Sequence, residues 1–396
     1  MSKTDLKKKG VELPEELVIK IITRLPPKSI FRFKLVCRDW KLLMESSFFI
    51  DIYSKSNWSI LHGSYRCTTS FLEEVELNLH GKTRNWSFTS DVIRKYTQNN
   101  VKIKEIWVVA CADGLVLLCV LEEDMTKRYY IGNPMLSQWI QLSSPPYLAQ
   151  YHSFVDSGLV IRKHNSAILG YKVIRIYSED MTSIIRTWSW TFQIYSSDTG
   201  EWSVQHVSCP GLYELPYSKC NPVSLNGKLH WFDDMYSRRI IVHDFFSYDD
   251  KIRELPLPVL MKSTQHESSH NKIICTTSQG CFVLIEAELI EEVKSYNVRV
   301  WRLESDSWNW EKAWEINMAC VELGVKCVPM AINYFDMDII YLWDLDHKCY
   351  IACNLRTHTK TYGTRRHGAP CKEDSLCLDS YWYGLQFVPS LQVIPT

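Results

Sequence analysis

The chain has 396 residues, of which 46% are hydrophobic, so it can bury a large core and form more than one domain. Its 45 Lys and Arg residues balance 45 Asp and Glu residues, which argues against a nucleic acid or an anionic membrane as a partner. No apolar run approaches the roughly 20 residues that span a bilayer, and the charged N-terminus lacks the apolar stretch of a signal peptide. We therefore expect a protein of the cytoplasm, the nucleus or both.

Residues 11–50 carry more apolar surface than so short a segment can bury. Pro14 suits the first turn of a helix, and Leu17, Ile21 and Leu25 then repeat every four residues to form an apolar stripe. A segment of this size usually needs disulfides, a metal or a partner to be stable, and it contains no cysteine pair or metal-ligand spacing. The pattern fits a partner-binding module or a helical lid that packs on the rest of the chain.

The same segment resembles an F-box. Its L-P-E-E-L run begins at Leu13, and the L-P, K-S, R-F and V-C-R-D-W elements follow in the family's order up to Trp40. The resemblance implies three short helices that dock on the Skp-type adaptor of a cullin ubiquitin ligase. It assigns the adaptor contacts to eight residues: Leu13, Pro14, Leu17, Ile21, Leu25, Leu35, Val36 and Trp40. We expect a flexible tail over 1–10, the F-box over 11–50 and a second domain over 51–396.

Short β-rich runs separated by turn residues replace helical periodicity after residue 50, which indicates an all-β region. A turn followed by an apolar strand recurs at Asp113-Gly114, Asn226-Gly227 and Gln279-Gly280, and a strand, polar turn and aromatic recur at 194–202 and 300–310. Steps of roughly 50 to 60 residues are typical of kelch-type propeller blades. The pattern predicts a mainly β chain with about six degenerate kelch-like blades, the first over 55–110. A pair of β-sandwiches is the alternative.

The β-rich region resembles the F-box-associated domain of plant F-box proteins. The matching elements span about residues 110 to 260 in the expected order, and the chain has no Gly-Gly pair of the kind found in true kelch repeats. The matching elements are Asp113-Gly114-Leu115, Asn133-Pro134, the strand 171–176, Ile194-Tyr195-Ser196 with Gly200-Glu201-Trp202, the run 226–231 and Asp244-Phe245. The resemblance implies a propeller that recognises a protein target.

Two groups of residues resemble metal sites. His266-Glu267-Ser268-Ser269-His270 matches the H-E-x-x-H pattern of zinc proteases, but its polar surroundings favour a loop between blades over a buried helix. Cys349 and Cys353, with His358, His367 and Cys371 downstream, suggest zinc. The two cysteines fall on a predicted strand, however, and would lie roughly 13 Å apart, too far for one zinc ion. We expect no metal and no cofactor.

The sequence shows no grouping of catalytic residues, so we expect a receptor and not an enzyme. Candidate target-binding side chains lie in two loops rich in aromatics, at Tyr147 and Tyr151 and at Tyr213 and Tyr217. The favoured function is the substrate-recognition subunit of a cullin-type ubiquitin ligase, with the Skp-type adaptor and an unidentified protein target as partners. A propeller scaffold without a role in ubiquitination is the alternative, and a metalloprotease resting on His266 and His270 is a third hypothesis.

Overall fold

The computed structural model describes residues 13–25, 27–64, 73–75, 103–146, 152–164, 167–179, 189–208, 222–233, 239–247, 252–258, 272–304, 308–347, 349–363 and 382–395. The chain divides into two compact units, Met1–Asn57 and Trp58–Thr396. The first unit is helical and the second consists of antiparallel sheets.

The first unit contains the three predicted helices and a fourth one. The helices are α1 (Glu15–Ile22), α2 (Pro27–Lys34), α3 (Arg38–Glu45) and α4 (Ser47–Asn57). The Ser46 hydroxyl accepts the N–H of Phe49 at 3.2 Å and so caps α4. Phe49 and Tyr53, one turn apart, are both buried, which gives α4 an inward face. Helix α4 therefore runs across residue 50, where the sequence predicted a domain boundary.

The described residues of the second unit form five four-stranded antiparallel sheets, called blades 1 to 5. Blade 1 has β3 (Ile103–Ala112), β4 (Leu115–Glu122), β5 (Lys127–Asn133) and β6 (Gln138–Gln141). Blade 2 has β7 (His152–His164), β8 (Ala167–Glu179), β9 (Ser189–Ser196) and β10 (Glu201–Ser208). Blade 3 has β11 (Val223–Leu225), β12 (Lys228–Asp233), β13 (Arg239–Asp244) and β14 (Arg253–Pro256).

The last two blades follow the same plan, in which consecutive strands pair in order. Blade 4 has β15 (Lys272–Ser278), β16 (Cys281–Ile290), β17 (Ser295–Leu303) and β18 (Trp310–Asn317). Blade 5 has β19 (Cys327–Ile332), β20 (Ile339–Asp344), β21 (Cys349–Asn354) and β22 (Lys360–Tyr362). A further sheet, called the closing sheet, has three strands: β1 (Ser59–Ser64), β2 (Glu73–Val75) and β23 (Trp382–Phe387).

The sheets are arranged as a β-propeller. The innermost strands β3, β7, β11, β15, β19 and β23 each contact the next, and β23 contacts β3, so the ring closes. The prediction of about six blades is corrected to five four-stranded blades. The predicted first blade, 55–110, lies largely outside the described residues; of the residues described there, 59–64 and 73–75 supply β1 and β2 to the closing sheet, and residue 103 begins β3 of blade 1. The alternative of paired β-sandwiches is wrong.

The repeated turns join the first two strands of three blades. At Asp113-Gly114, Asn226-Gly227 and Gln279-Gly280 both residues have positive φ angles, 47° and 82° in the first turn and 51° and 75° in the other two. Positive φ at both positions is the type I′ hairpin turn, which matches the twist of the flanking strands. Because glycine adopts positive φ at little cost, these dipeptides specify the hairpins locally.

The core lies between neighbouring blades. Leu159 and Tyr171 of blade 2 pack with Leu117 and Ile131 of blade 1. Equivalent buried clusters join blade 2 to blade 3, blade 3 to blade 4, and blade 4 to blade 5. Ile60 of the closing sheet packs against blade 5. Each blade therefore buries its two faces against its neighbours and leaves the ends of the strands to carry loops.

Candidate partner-binding surface

Helix α1 is apolar on two faces. Ile19 and Ile22 are buried inside the helical unit, whereas Leu17 and Ile21, four residues apart on another face, are 45% and 53% exposed. An isolated surface helix needs only one apolar face, which packs on its own core. The second face of α1 is therefore available to another protein.

The turn between α2 and α3 extends the exposed apolar set. Leu35 and Val36 in this turn are 86% and 62% exposed, and Leu13, just before α1, is 57% exposed. A small soluble unit rarely leaves so many large apolar side chains in water without a binding role. We call Leu13, Leu17, Ile21, Leu35 and Val36 the exposed apolar set.

The eight predicted adaptor residues differ in exposure: six are exposed and two are half-buried. Pro14 is exposed, like the exposed apolar set, whereas Leu25 and Trp40 are half-buried. The Trp40 ring packs on Phe33 with the ring centroids 4.8 Å apart. Trp40 therefore has a structural role in the helical unit, and its contribution to partner binding stays a prediction.

Two exposed apolar residues were missed in the sequence. Leu42 of α3 and Phe48 of α4 are each 56% exposed. The sequence does not separate Leu42 from Met44 or Phe48 from Phe49; the fold buries Met44 and Phe49 and leaves the other two exposed. Apolar residues that are out of phase with the buried face of a helix point away from its core.

Internal contacts hold the helices in place beneath this surface. The buried Asn57 side chain donates to the Tyr53 carbonyl at 2.6 Å and to the Thr23 carbonyl at 3.4 Å, which joins the ends of α4 and α1. Lys34 pairs with Glu45 at 3.5 Å between α2 and α3. The two Asn57 hydrogen bonds satisfy helix-end carbonyls, and none of these contacts draws the exposed apolar set into the core.

The four predicted target-binding tyrosines, Tyr147, Tyr151, Tyr213 and Tyr217, lie outside the described residues. The strands on either side of them are described. Residues 142–151 connect β6, the outermost strand of blade 1, to β7, the innermost strand of blade 2. Residues 209–222 make the same outer-to-inner connection from blade 2 to blade 3. Because the innermost strands share one direction around a propeller, the described strand ends that flank the two connections belong to one face of the ring.

The two sequence patterns that suggested metal sites differ in how far the structure covers them. His266 and His270 lie outside the described residues, as do His367 and Cys371. Cys349 and Cys353 lie on β21 as predicted, and both are buried. Among the described residues, no group of three or more His, Cys, Asp or Glu side chains is arranged to hold a metal ion. The helices of the described part of the chain are also too short or too polar to cross a membrane.

Comparison with known proteins assigns both units to families. A model of the F-box domain matches residues 11–50, and a model described as "F-box protein At3g26010-like, beta-propeller" matches residues 56–381. The chain therefore belongs to the At3g26010-like F-box proteins with a β-propeller. The resemblance to plant F-box proteins is confirmed, while the kelch-like character of the repeats stays a prediction.

Three relatives from Arabidopsis thaliana match over most of their length. "Putative F-box protein At3g23950" is 30% identical, over 88% of this chain and 84% of the relative. "Putative F-box/kelch-repeat protein At1g15680" is 32% identical, over 90% of this chain and 85% of the relative. "F-box protein At3g26010" is 30% identical, over 89% of this chain and 79% of the relative. The similarity thus covers both the helical unit and the propeller.

Proposed function

We propose that this protein is the substrate-recognition subunit of a Skp–cullin–F-box ubiquitin ligase. Its helical unit would bind the Skp-type adaptor, its propeller would bind the protein target, and other subunits would carry out the chemistry. The observation that carries the proposal is the exposed apolar set, which lies on a segment that matches the F-box domain. A propeller scaffold without a role in ubiquitination is the alternative, and binding of a Skp-type adaptor separates the two.

The energetics favour a protein partner for the helical unit. Burying a large apolar side chain contributes about 1.5–3 kcal/mol relative to leaving it in water. Five such side chains supply enough apolar area for a hot-spot cluster at the centre of a protein interface. Leu42 and Phe48 extend the surface that an adaptor could cover.

The propeller would position the target and would need no catalytic group for this role. The strand ends that flank the predicted tyrosines in the chain belong to one face of the ring, so we propose that face as the target-binding face. Holding a target at a fixed place relative to the ubiquitin-carrying subunit turns an encounter in solution into an effectively intramolecular one. The proposed location is the cytoplasm, the nucleus or both.

Leu17→Asp tests the proposal, with Lys20→Asp as its matched control. Both side chains are exposed on α1, so neither change removes core packing, and both introduce the same carboxylate. Leu17→Asp should weaken binding of a purified Skp-type adaptor by about 2 kcal/mol or more, roughly thirtyfold, whereas Lys20→Asp should have little effect. Binding is measured by calorimetry on folded variants. Equal affinity of wild type and Leu17→Asp, or no binding by wild type, would overturn the proposal.

A further inference from the structure

The C-terminal residues 388–395, called here the C-terminal segment, lie against blade 1 in an extended conformation without forming a strand. They directly follow β23 and extend beyond the part of the chain that matches the family model. Leu391 and Ile394 of the segment are buried, although both are close to the end of the chain. A segment outside regular secondary structure needs specific contacts to stay in place.

Asn133 of blade 1 provides those contacts. Its side-chain amide is fully buried, and Nδ2 donates to the carbonyls of Ser390 at 2.9 Å and Gln392 at 2.8 Å. Oδ1 of the same side chain accepts the N–H of Met135 at 3.0 Å. Carbonyls two residues apart point the same way in an extended chain, so one amide can bind both. Asn133 therefore recognises the backbone of an extended peptide.

The neighbouring residues of blade 1 fit the same segment. A Cβ atom at Gly114 would overlap Ser390, so only glycine allows the backbone to approach this closely. The Gln138 side chain accepts the N–H of Ile394 at 3.4 Å, and Ile394 enters the buried cluster between blades 1 and 2. Gly114, Asn133 and Gln138 thus form a groove that receives backbone groups and one branched apolar side chain.

We propose that this groove is a binding site for an extended peptide, and that the chain's own C-terminal segment fills it reversibly. Side chains of blade 1 hold the backbone of the segment. The segment has no strand ladder like the six residue pairs that join β23 to β1. It follows β23 and contributes no strand to the ring, so it can leave while the ring stays closed through β23. The ligand class is a peptide with leucine and isoleucine three residues apart, as in Leu391 and Ile394.

A truncated chain ending at Phe387 tests the site directly. A synthetic peptide of residues 388–396 should bind it saturably and raise its melting temperature, and the same peptide carrying Ile394→Asp should bind at least tenfold more weakly. A peptide that fails to bind the folded truncated chain, or that binds equally well with Ile394→Asp, would show that the groove is not a peptide site.

Full-length variants decide the matter even when the truncated chain does not fold. Asn133→Asp keeps the oxygen that caps Met135 but replaces the two N–H donors with an acceptor. The matched control is Asn317→Asp, because Asn317 caps the N–H of Ala319 at 2.9 Å in the same way and lies outside the groove. Hydrogen exchange at the Ile394 amide should be at least tenfold faster in Asn133→Asp and unchanged in Asn317→Asp. Equal exchange in wild type and Asn133→Asp would overturn the proposal.

Discussion

Trp202 and Trp310 make the same contact in different blades. The indole N–H of Trp202, on β10, donates to the Ser143 carbonyl beyond β6 at 2.7 Å. The indole N–H of Trp310, on β18, donates to the Pro256 carbonyl at the end of β14 at 2.8 Å. Each tryptophan of the repeated aromatic element therefore joins the outermost strand of its own blade to that of the preceding blade.

Trp202→Phe and Trp310→Phe should each destabilise the propeller by about 1 kcal/mol, because each removes one hydrogen bond and keeps most of the ring packing. The two sites share no blade, so the double variant should lose the sum of the two single losses. Urea unfolding of the four proteins measures both effects. A coupling energy above roughly 0.5 kcal/mol would contradict the independence of the two contacts.

His230 should make the stability of the propeller depend on pH. It is buried and stacks on Phe282 with the ring centroids 5.0 Å apart, and burial lowers its pKa to about 4. Its pKa in the unfolded chain is about 6.5, so between these values the unfolded state binds more protons and stability falls as the pH drops. The loss from pH 7 to pH 4 is on the order of 3 kcal/mol.

His230→Phe tests this dependence, since it keeps an aromatic ring beside Phe282 and removes the titrating group. The comparison is the difference in unfolding free energy between the variant and wild type at pH 7 and pH 4. The free energy of unfolding of the variant should rise relative to that of wild type as the pH falls. An unchanged difference between the two proteins across this range would show that His230 does not titrate on unfolding.

Lys272, at the start of β15, should lower the stability of the propeller at neutral pH. Partial burial lowers its pKa to about 8, and its side chain shows no hydrogen bond or ion pair within the described residues. The unfolded value is about 10.4, so the buried ammonium disfavours folding at pH 7, and stability rises as the pH increases from 8 to 10. Lys272→Met should stabilise the protein at pH 7 by up to about 3 kcal/mol.

Lys104→Met is the matched control, because Lys104 lies near the start of another innermost strand, β3, and is exposed. Its replacement should change the free energy of unfolding by less than about 0.5 kcal/mol. Thermal and urea unfolding at pH 7 compare the two variants. A loss of stability in Lys272→Met would mean that the amine contributes favourable interactions in the folded state.

The propeller should act without the helical unit, if the proposed function is correct. A fragment that begins at residue 51 would cut α4, whereas residues 58–396 form the second compact unit. The fragment 58–396 should stay folded and bind the target but fail to recruit the adaptor, so its overproduction should lengthen the target's half-life. The full chain carrying Leu17→Asp is the control and should protect the target in the same way. A folded, target-bound fragment that leaves turnover unchanged would contradict adaptor bridging.

Local signals explain which parts of this structure the sequence could predict. Asn226-Gly227 and its two counterparts predicted hairpins correctly, because a type I′ turn depends on two adjacent residues. The F-box helices were also predictable from Pro14 and the apolar repeat that follows it. The number of blades was not predictable, because β1 pairs with β23 at the far end of the region and no local pattern encodes that pairing.

The candidate surface was predicted in the same uneven way. Leu17 and Ile21 follow a visible helical repeat, and the structure places both on the surface. Leu42 and Phe48 were missed, since their exposure depends on which neighbours, Met44 and Phe49, the fold turns inward. The role of Asn133 depends on Ser390 and Gln392, which lie far along the chain. The sequence therefore marked Asn133 only as part of a family element and indicated no role for it.

The pairing of β1 with β23 also sets the order of events during synthesis. The helical unit precedes β1 and can fold while the rest of the chain is being made. At about 5–20 residues per second, β1 leaves the ribosome roughly tens of seconds before its partner strand exists. Gln386, which donates from β23 to the carbonyls of Thr277 at 2.9 Å and Ile332 at 2.7 Å, reaches blades 4 and 5 only after that delay. A nascent chain of this kind presents an incomplete ring with an open strand edge, and such an edge can pair with a strand of another chain.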